Sequence, residues 1–219
     1  QFAAVCLMDA RSIAATAANG GRITPATDMD YVAEPQPYHF DRAVYDNRIY
    51  YGFGKADPSV ELVMGPNITD WPKMYPLTEN LLVELAAVIH DPVTTTDELI
   101  PSGETSSYRS NPLRLAEFTL SRRVPEYVDH AKDIAAQEAE RREGKLPEHL
   151  KAVLSAVGNA AALAGTTQFG SAVFANKPGD GSAREQAASC QKVLGGFANI
   201  CYSYATKRYR SNCINWGIL

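Results

Sequence analysis

The chain has 219 residues, a formal net charge of −4 at pH 7 and 45% hydrophobic residues. This composition is typical of a globular protein of one large domain or slightly more, and it excludes a disordered chain. The mild acidity argues against nucleic acid as the main partner, and no apolar run approaches the roughly 20 residues that span a membrane. The first residues lack the basic and long apolar regions of a signal peptide, so we expect a cytoplasmic protein without a membrane partner.

The four cysteines are scattered through apolar stretches, at Cys6, Cys190, Cys201 and Cys213. No two of them form a C-x-x-C pair, so a zinc or iron–sulfur site built wholly from this chain is not expected. We predict reduced, buried thiols of the kind found in cytosolic proteins.

The first third of the chain changes character along its length. Residues 8–18 are alanine-rich, which predicts a helix of the core, and residues 19–21 (Asn-Gly-Gly) are expected to end it. Proline, aspartate, tyrosine and glycine recur over residues 24–70, which predicts a long irregular connection with short strands. The centre of residues 45–54 has the pattern of a strand or hairpin.

A buried strand is predicted within the apolar residues 81–93, and His90 in it is interpreted as structural. The next residues, 94–112, are rich in hydroxyl groups and carry one aspartate and one arginine before Pro112. Loops at strand ends carry sites on α/β scaffolds, so this loop is either part of a site or a solvated polar loop. Both readings stay open at this point.

The rest of the chain alternates between helical and strand patterns. Residues 113–120 and 126–143 are helical; the second run is strongly charged, with Glu138 and Arg142 four residues apart, and is predicted to be a solvated helix ended by Gly144. The later patterns predict one or two helices in 146–163, a strand in 166–176, a helix over 184–194, a strand over 197–204 and a helix over 205–216. This order is that of a βαβ unit, with ligands expected where strand ends meet helix N-termini.

The glycine-rich stretch Lys177–Ala187 joins the first strand and helix of that unit. Ser182 stands where an N-cap is expected, and the amides after it carry the positive end of the helix dipole. Such a place binds carboxylates or phosphates and stabilises an alkoxide, while Arg184 beside it offers a bidentate clamp for a carboxylate. The alternative is an ordinary capped helix after a turn.

Several of these segments together resemble the C-terminal swivel domain of the aconitase family. The family has Gly-Ser, then Ser or Ala, then Arg-Glu, followed by Gly-Gly, by Ser-Phe/Tyr-Ala, and by Asn, four residues and Gly-Ile/Leu-Leu. The matching segments here keep that spacing through about 40 residues: Gly181–Ala187, Gly195-Gly196, Ser203-Tyr204-Ala205, Arg208 and Asn212–Leu219. Thr95-Thr96-Asp97, Gly103 and Tyr108-Arg109 are similar to a second stretch of the family, Thr-Thr-Asp-His-Ile-Ser followed by Gly and Phe-Arg.

This resemblance implies an α/β fold in which a β-sheet is flanked by helices and the loop–helix site lies at the strand ends, after a long irregular linker. It divides the chain into the last helix of a preceding catalytic domain (1–24), a linker (25–80) and a swivel domain (81–219) that is incomplete at its C-terminus. It implies a hydro-lyase that interconverts citrate and isocitrate through cis-aconitate in the tricarboxylic acid cycle.

The resemblance also implies roles for four residues. Ser182 would be the base, Arg184 and Arg109 would bind substrate carboxylates, and Asp97 would orient a neighbouring group. The cofactor implied is a 4Fe-4S cluster whose ligands lie on N-terminal domains outside this chain, and no metal ligand is expected here. The chain is therefore expected to be a piece of a larger enzyme, inactive alone.

Three departures from the family pattern bear on the substrate. Ala183 stands where the family often has a second serine, and Glu98 and Ile100 replace a histidine and a serine. These changes remove polar groups from the predicted site, so a related tricarboxylate is an alternative to citrate.

Two other functions remain as alternatives. One is the small subunit of an isopropylmalate or homoaconitate isomerase, against which residues 1–24 argue because they resemble the end of a large domain. The other is a non-catalytic relative that binds anions or RNA, supported by the basic residues Lys207, Arg208 and Arg210. Three such charges more often form a solvated helix face.

Overall fold

The computed structural model describes residues 5–30, 37–48 and 52–219. By the density of contacts between residues, the chain divides into two compact units, residues 1–60 and 61–219. Among the described residues, no helix is both long enough and apolar enough to cross a membrane. All β-structure of the described residues lies in the second unit.

The first unit contains helix α1 (Ala10–Ala18), a 3-10 helix (Ala26–Asp28) and helix α2 (Ala43–Asp46). Asp9 caps α1, since its side chain accepts hydrogen bonds from the amides of Arg11 and Ser12. The chain then returns along α1, because the Ala26 amide donates to Ser12 Oγ at 3.2 Å. The predicted helix is confirmed, with its end at Asn19.

In this unit the predicted core helix and the predicted strand have different outcomes. Only Ala15 of α1 is buried, so the prediction of a core helix is wrong: α1 packs mainly on the short 3-10 helix that follows it. The strand or hairpin predicted at the centre of residues 45–54 falls largely on residues 49–51, which lie outside the described residues. Its first two positions, Tyr45 and Asp46, belong to α2.

The second unit is mixed α/β, as predicted. Its strands are β1 (Asn80–Ile89), β2 (Thr94–Thr95), β3 (Thr167–Ala175), β4 (Pro178–Asp180) and β5 (Gly196–Ile200). Its helices are α3 (Thr96–Leu99), α4 (Pro112–Ala116), α5 (Tyr127–Arg142), α6 (Glu148–Val157), α7 (Ala160–Ala164), α8 (Arg184–Val193) and α9 (Lys207–Asn215), with a 3-10 helix at Ser106–Tyr108. Residues 61–79 form no helix or strand.

The main sheet has three parallel strands in the order β1-β3-β5. Strand β3 is central and almost wholly buried. At Gly170 a Cβ atom would come within 2.1 Å of the Phe197 ring on β5, so these two strands approach closely only because Gly170 has no side chain. Strands β2 and β4 form a second, two-stranded parallel sheet.

Helices flank the main sheet and bury its apolar side chains. Helix α8 carries the chain from β4 to β5, so the predicted strand–loop–helix–strand–helix order is confirmed. The predicted strand over 197–204 is shorter than expected: it ends at Ile200, and Cys201–Thr206 forms the connection to α9. The region 146–163 holds two helices, separated at Gly158.

The charged helix α5 is not the solvated helix that the sequence predicts. It packs against β3 and buries five of its residues: Tyr127, Val128, Ala131, Ile134 and Glu138. The predicted pair is present, since Arg142 Nε lies 2.7 Å from a Glu138 carboxylate oxygen. Glu138 also accepts a hydrogen bond from the Phe169 amide of β3 at 3.0 Å, so the helix is fastened to the sheet by a buried carboxylate.

All four cysteines are free thiols. Cys190 and Cys213 are buried, as predicted, whereas Cys201 is half-buried and Cys6 is exposed. The prediction of burial is therefore wrong for Cys6, which precedes α1 and packs into no core.

Candidate functional site

The two polar loops that the sequence analysis treats separately lie side by side. Strands β2 and β4 pair, with Thr94 opposite Pro178 and Thr95 opposite Asp180. The carboxyl end of β3 thus leads into a loop that is held against the N-terminus of α3. This pairing brings residues 94–97 to the edge of the glycine-rich stretch.

Two glycines of that loop are required by its conformation and by close contacts. Gly179 has a φ of +94°, and a Cβ there would lie 2.2 Å from Tyr209 Cδ1 of α9. Gly181 has a φ of +130°, and a Cβ there would lie 2.2 Å from Thr96 Oγ1 of α3. The loop is therefore clamped between α3 and α9, and larger residues at these positions would displace it.

The N-terminus of α8 is open. Its N-cap residue is Ala183, with no side chain accepting from the helix amides, so the prediction that Ser182 is the N-cap is wrong. The left-handed conformation of Gly181 turns the chain so that helical geometry starts one residue later. Within the described residues nothing accepts from the amides of residues 184–186, and these amides carry the positive end of the helix dipole.

An open depression of about 450 Å³ lies at this N-terminus. Helix α8 and the loop before it contribute Ser182, Arg184 and Glu185 to its lining. Helix α9 contributes four residues, Lys207, Arg208, Ser211 and Asn212. Three cations and one carboxylate give the lining a formal charge of +2, which favours an anionic ligand.

The hydrogen bonds inside the depression engage the Ser211 hydroxyl group, which donates to the Lys207 carbonyl at 3.0 Å, and leave the Ser182 hydroxyl group and two cations available. Arg184 Nη1 donates to the Gly181 carbonyl, and Glu185 accepts from Trp216 Nε1 at 3.0 Å. The exposed side chain of Ser182, and those of Lys207 and Arg208, make no hydrogen bond or ion pair with any described residue.

Arg109 and Asp97 lie outside this depression. Arg109 follows the 3-10 helix Ser106–Tyr108 and lines a neighbouring cavity of about 40 Å³, in which Glu185 is the residue that it shares with the depression. Asp97 is in the first turn of α3, where its carboxylate lies 2.7 Å from Arg122 Nη1. The structure thus brings Ser182 and Arg184 together, places Arg109 next to them and pairs Asp97 with Arg122.

One of the departures from the family pattern has a structural explanation. Glu98 completes a capping box on α3: Thr95 Oγ1 accepts from the Glu98 amide at 3.2 Å, and Glu98 Oε2 accepts from the Thr95 amide at 2.7 Å. Glu98 therefore stabilises the start of α3 and fixes the Thr94–Thr95 strand.

From the sequence, the basic residues of α9 are expected to form a solvated face, and Lys207, Arg208 and Arg210 support only the anion- or RNA-binding alternative. Ser211 and Asn212 are not predicted as site residues. The signal was present in the spacing, since Lys207 and Ser211, and Arg208 and Asn212, are each four residues apart and share one helix face. What the sequence does not show is the anchor of α9 to the loop, where Thr206 Oγ1 donates to the Gly179 carbonyl at 3.0 Å.

The described residues do not fit an iron–sulfur cluster. They contain no group of three or more His, Cys, Asp or Glu side chains placed to hold a metal. Burial raises the pKa of the Cys190 thiol to about 12, which keeps it protonated and makes it a poor ligand. Burial also raises the pKa of Cys213.

Comparison with known proteins gives no family assignment. No protein-family model matches the sequence, and no curated protein matches it. The function proposed next therefore rests on the geometry of the depression and on the resemblance of short motifs.

Proposed function

We propose that residues 81–219 form the swivel domain of an aconitate hydratase-like hydro-lyase, acting on citrate, isocitrate and cis-aconitate or a related tricarboxylate. The observation that carries the proposal is the meeting of Ser182, Arg184, Lys207 and Arg208 in one open depression at the uncapped N-terminus of α8. The enclosing fold, a parallel sheet with helices on its faces and the loop at a strand end, agrees with the arrangement that the motifs imply.

The depression suits a substrate with several carboxylates. Free amides at a helix N-terminus and a guanidinium are good donors to carboxylate oxygens, and the Lys207 and Arg208 charges add attraction for a second carboxylate. Arg109, beyond Glu185, is placed to take a third if the substrate extends that way. We assign Asp97 the role of holding Arg122 near the Thr94–Thr95 strand.

Ser182 is the proposed base. The bond between a carbon next to a carboxylate and its hydrogen breaks, the proton passes to Ser182 Oγ, and the electron pair forms the carbon–carbon double bond as the bond between the neighbouring carbon and its hydroxyl group breaks. The hydroxyl group leaves with the electron pair of that bond as hydroxide, which the Lewis acid of the cluster-binding domains would take up. The positive end of α8 and the nearby cations stabilise the Ser182 alkoxide that accepts this proton. Hydration runs the same steps in reverse.

The 4Fe-4S cluster of such an enzyme would be held by residues outside this chain, because the described residues do not fit it. Those cluster-binding domains are the partner that the proposal requires, and no step assigned to this chain goes through the cluster. Citrate binding by the chain and turnover by the assembled enzyme are therefore tested separately.

The first experiment titrates citrate into the chain by calorimetry. Arg184→Gln should weaken binding by about 10-fold or more, because hydrogen bonds between charged groups contribute about 1.5–3 kcal/mol. Arg11→Gln, which removes an exposed arginine in the first unit, is the matched control and should leave the affinity unchanged. Equal affinities for the wild-type chain and Arg184→Gln would refute the carboxylate site.

The second experiment measures turnover in a protein that joins this chain to cluster-binding domains. Ser182→Ala should lower kcat by about 10²–10⁴-fold, the usual contribution of a positioned base, with the citrate dissociation constant nearly unchanged. A normal kcat in Ser182→Ala would disprove the assignment of the base.

The same titrations separate the candidate substrates. If isopropylmalate binds more tightly than citrate and loses affinity in Arg184→Gln, the isomerase alternative replaces the hydratase. Both alternatives keep the same depression and the same base.

A further inference from the structure

A second cavity, of about 170 Å³, lies at the opposite end of α8. It is lined by the first residues of β3 and β5, by the last residues of α8 and by one face of α5. Since α8 has ten residues and a helix rises about 1.5 Å per residue, some 15 Å separates this cavity from the depression at Ser182. It is therefore distinct from the proposed catalytic site.

The walls of this cavity are aromatic and apolar. Phe169 on β3 and Phe197 on β5 line its interior. Tyr75 forms part of its rim, where the guanidinium of Arg142 lies 3.5 Å from the ring centroid. The lining thus offers flat apolar surfaces on which a ring or short hydrocarbon body can pack.

Two cations of the lining have no counter-ion among the described residues: the exposed Lys73, whose ammonium lies 4.9 Å from the Tyr75 ring centroid, and Lys192. Lys192, on the last turn of α8, is half-buried, with its ammonium 4.6 Å from the Phe197 centroid and 3.4 Å from the Gly217 carbonyl oxygen. No described carboxylate lies within ion-pair distance of it. Burial lowers the pKa of the Lys192 ammonium, as expected for a charge that has lost water without gaining an anionic partner.

Glu138, the acidic residue of the cavity lining, is not a counter-ion for Lys192. Glu138 is occupied by Arg141, Arg142 and the Phe169 amide. Burial alone would raise the pKa of Glu138, but these hydrogen bonds hold it below its ordinary value, so the carboxylate is ionised and already neutralised. The positive charge of Lys192 remains uncompensated.

A buried amide supplies a second, independent indication of a ligand. Gln168 is only 2% exposed and lines the cavity. Its Oε1 accepts from the Thr78 amide at 3.3 Å, which orients the side chain, whereas its Nε2 has no acceptor among the described residues. This Nε2 group is free to donate a hydrogen bond to an oxygen of a ligand in the cavity.

We propose that this cavity binds a small monocarboxylate with an apolar body about the size of one aromatic ring. The carboxylate accepts hydrogen bonds from Lys192 Nζ and Gln168 Nε2, and the apolar body packs on Phe169 and Phe197. The volume is comparable to that of a cavity of about 150 Å³ that admits one benzene molecule.

The test titrates benzoate into the whole chain by calorimetry, with benzamide as the neutral analogue of the same shape. Wild-type chain should bind benzoate with a dissociation constant of about 1 mM or lower. Lys192→Met should weaken benzoate binding by about 10-fold or more and benzamide binding by much less. Lys151→Met, which removes an exposed lysine of α6, is the matched control and should have no effect.

Further variants keep the test decisive if Lys192→Met folds poorly. Lys192→Arg keeps the charge and should retain benzoate binding within a few-fold, whereas Gln168→Leu should weaken it by about 3- to 10-fold. Ser182→Ala and Arg184→Gln should leave benzoate binding unchanged, so this proposal and the hydro-lyase can fail separately. The absence of benzoate binding, or an equal loss in Lys192→Met and Lys151→Met, would overturn the proposal.

Discussion

The two ends of α8 present positive charge in different ways. At its N-terminal end the donors are backbone amides, together with the exposed cations Lys207 and Arg208 from α9. At its C-terminal end the donors are side chains, the half-buried Lys192 and the buried Gln168, set among aromatic rings. The surface at the N-terminal end is open to solvent, whereas the cavity at the C-terminal end is smaller and largely apolar.

The difference follows from where each end lies on the sheet. Parallel strands and their helices place helix N-termini at the carboxyl edge, where glycine turns leave backbone donors unpaired. At the amino edge the strand starts are covered by α5 and by residues 72–75, so a ligand there meets side chains. The two proposed sites therefore lie at opposite edges of one sheet, the one for a multiply charged ligand at the carboxyl edge and the one for a mostly apolar ligand at the amino edge.

The N-terminal end of α8, where the donors are backbone amides, should be the more sensitive to a single added methyl group. Gly179→Ala places a Cβ 2.2 Å from the Tyr209 ring in a residue with φ of +94°, so strain and overpacking together should cost about 4 kcal/mol of unfolding free energy. Urea unfolding measures this. Gly103→Ala is the control, since a Cβ there meets nothing within 4 Å. Equal costs in the two variants would mean that the loop is not clamped.

At the C-terminal end of α8, where the donors are side chains, the contribution to stability should depend on charge and pH. Glu138→Gln removes the buried carboxylate that holds Arg141 and Arg142 and caps the Phe169 amide, and should cost about 3 kcal/mol near neutral pH. Because the folded pKa of Glu138 lies below its ordinary value of 4.5, its stabilisation is present above that pH and is lost as pH falls through the folded pKa.

The difference in unfolding free energy between the wild type and Glu138→Gln should accordingly become smaller below about pH 4.5. Glu143→Gln, at the exposed C-cap residue of α5, should not shift the unfolding midpoint measurably. If this difference in unfolding free energy stays constant until the protein unfolds in acid, Glu138 acts through packing and not through its charge.

The carboxyl edge is the region that the sequence predicts best. The β3–loop–α8–β5–α9 order follows from local signals: strand periodicity, the glycines of 179–181 and the glycines at 195 and 217. Ser182 and Arg184 are found together for the same reason, since they are neighbours in sequence. Their meeting with Lys207 and Arg208 requires the turn after β5, which sequence periodicity does not fix.

The amino edge could not be predicted in the same way. Helix α5 has the composition of a solvated helix, and its burial depends on Glu138 finding Arg141, Arg142 and a strand amide at once. Lys192 and Gln168 are 24 positions apart on different elements, and neither carries a motif. The cavity exists only through tertiary packing, so no local pattern indicates it.

The smallest losses of stability are expected from substitutions at two helix N-termini at the carboxyl edge. Thr206 caps α9, accepting from the Tyr209 amide at 3.2 Å while donating to the Gly179 carbonyl, so Thr206→Ala should cost about 1–2 kcal/mol in thermal or urea unfolding. Ser182 caps nothing, so Ser182→Ala should change stability by no more than about 0.5 kcal/mol. A Ser182→Ala cost as large as that of Thr206→Ala would restore Ser182 as a structural cap. A stable Ser182→Ala chain would show that the Ser182 hydroxyl group has no role in folding, as the proposed function requires.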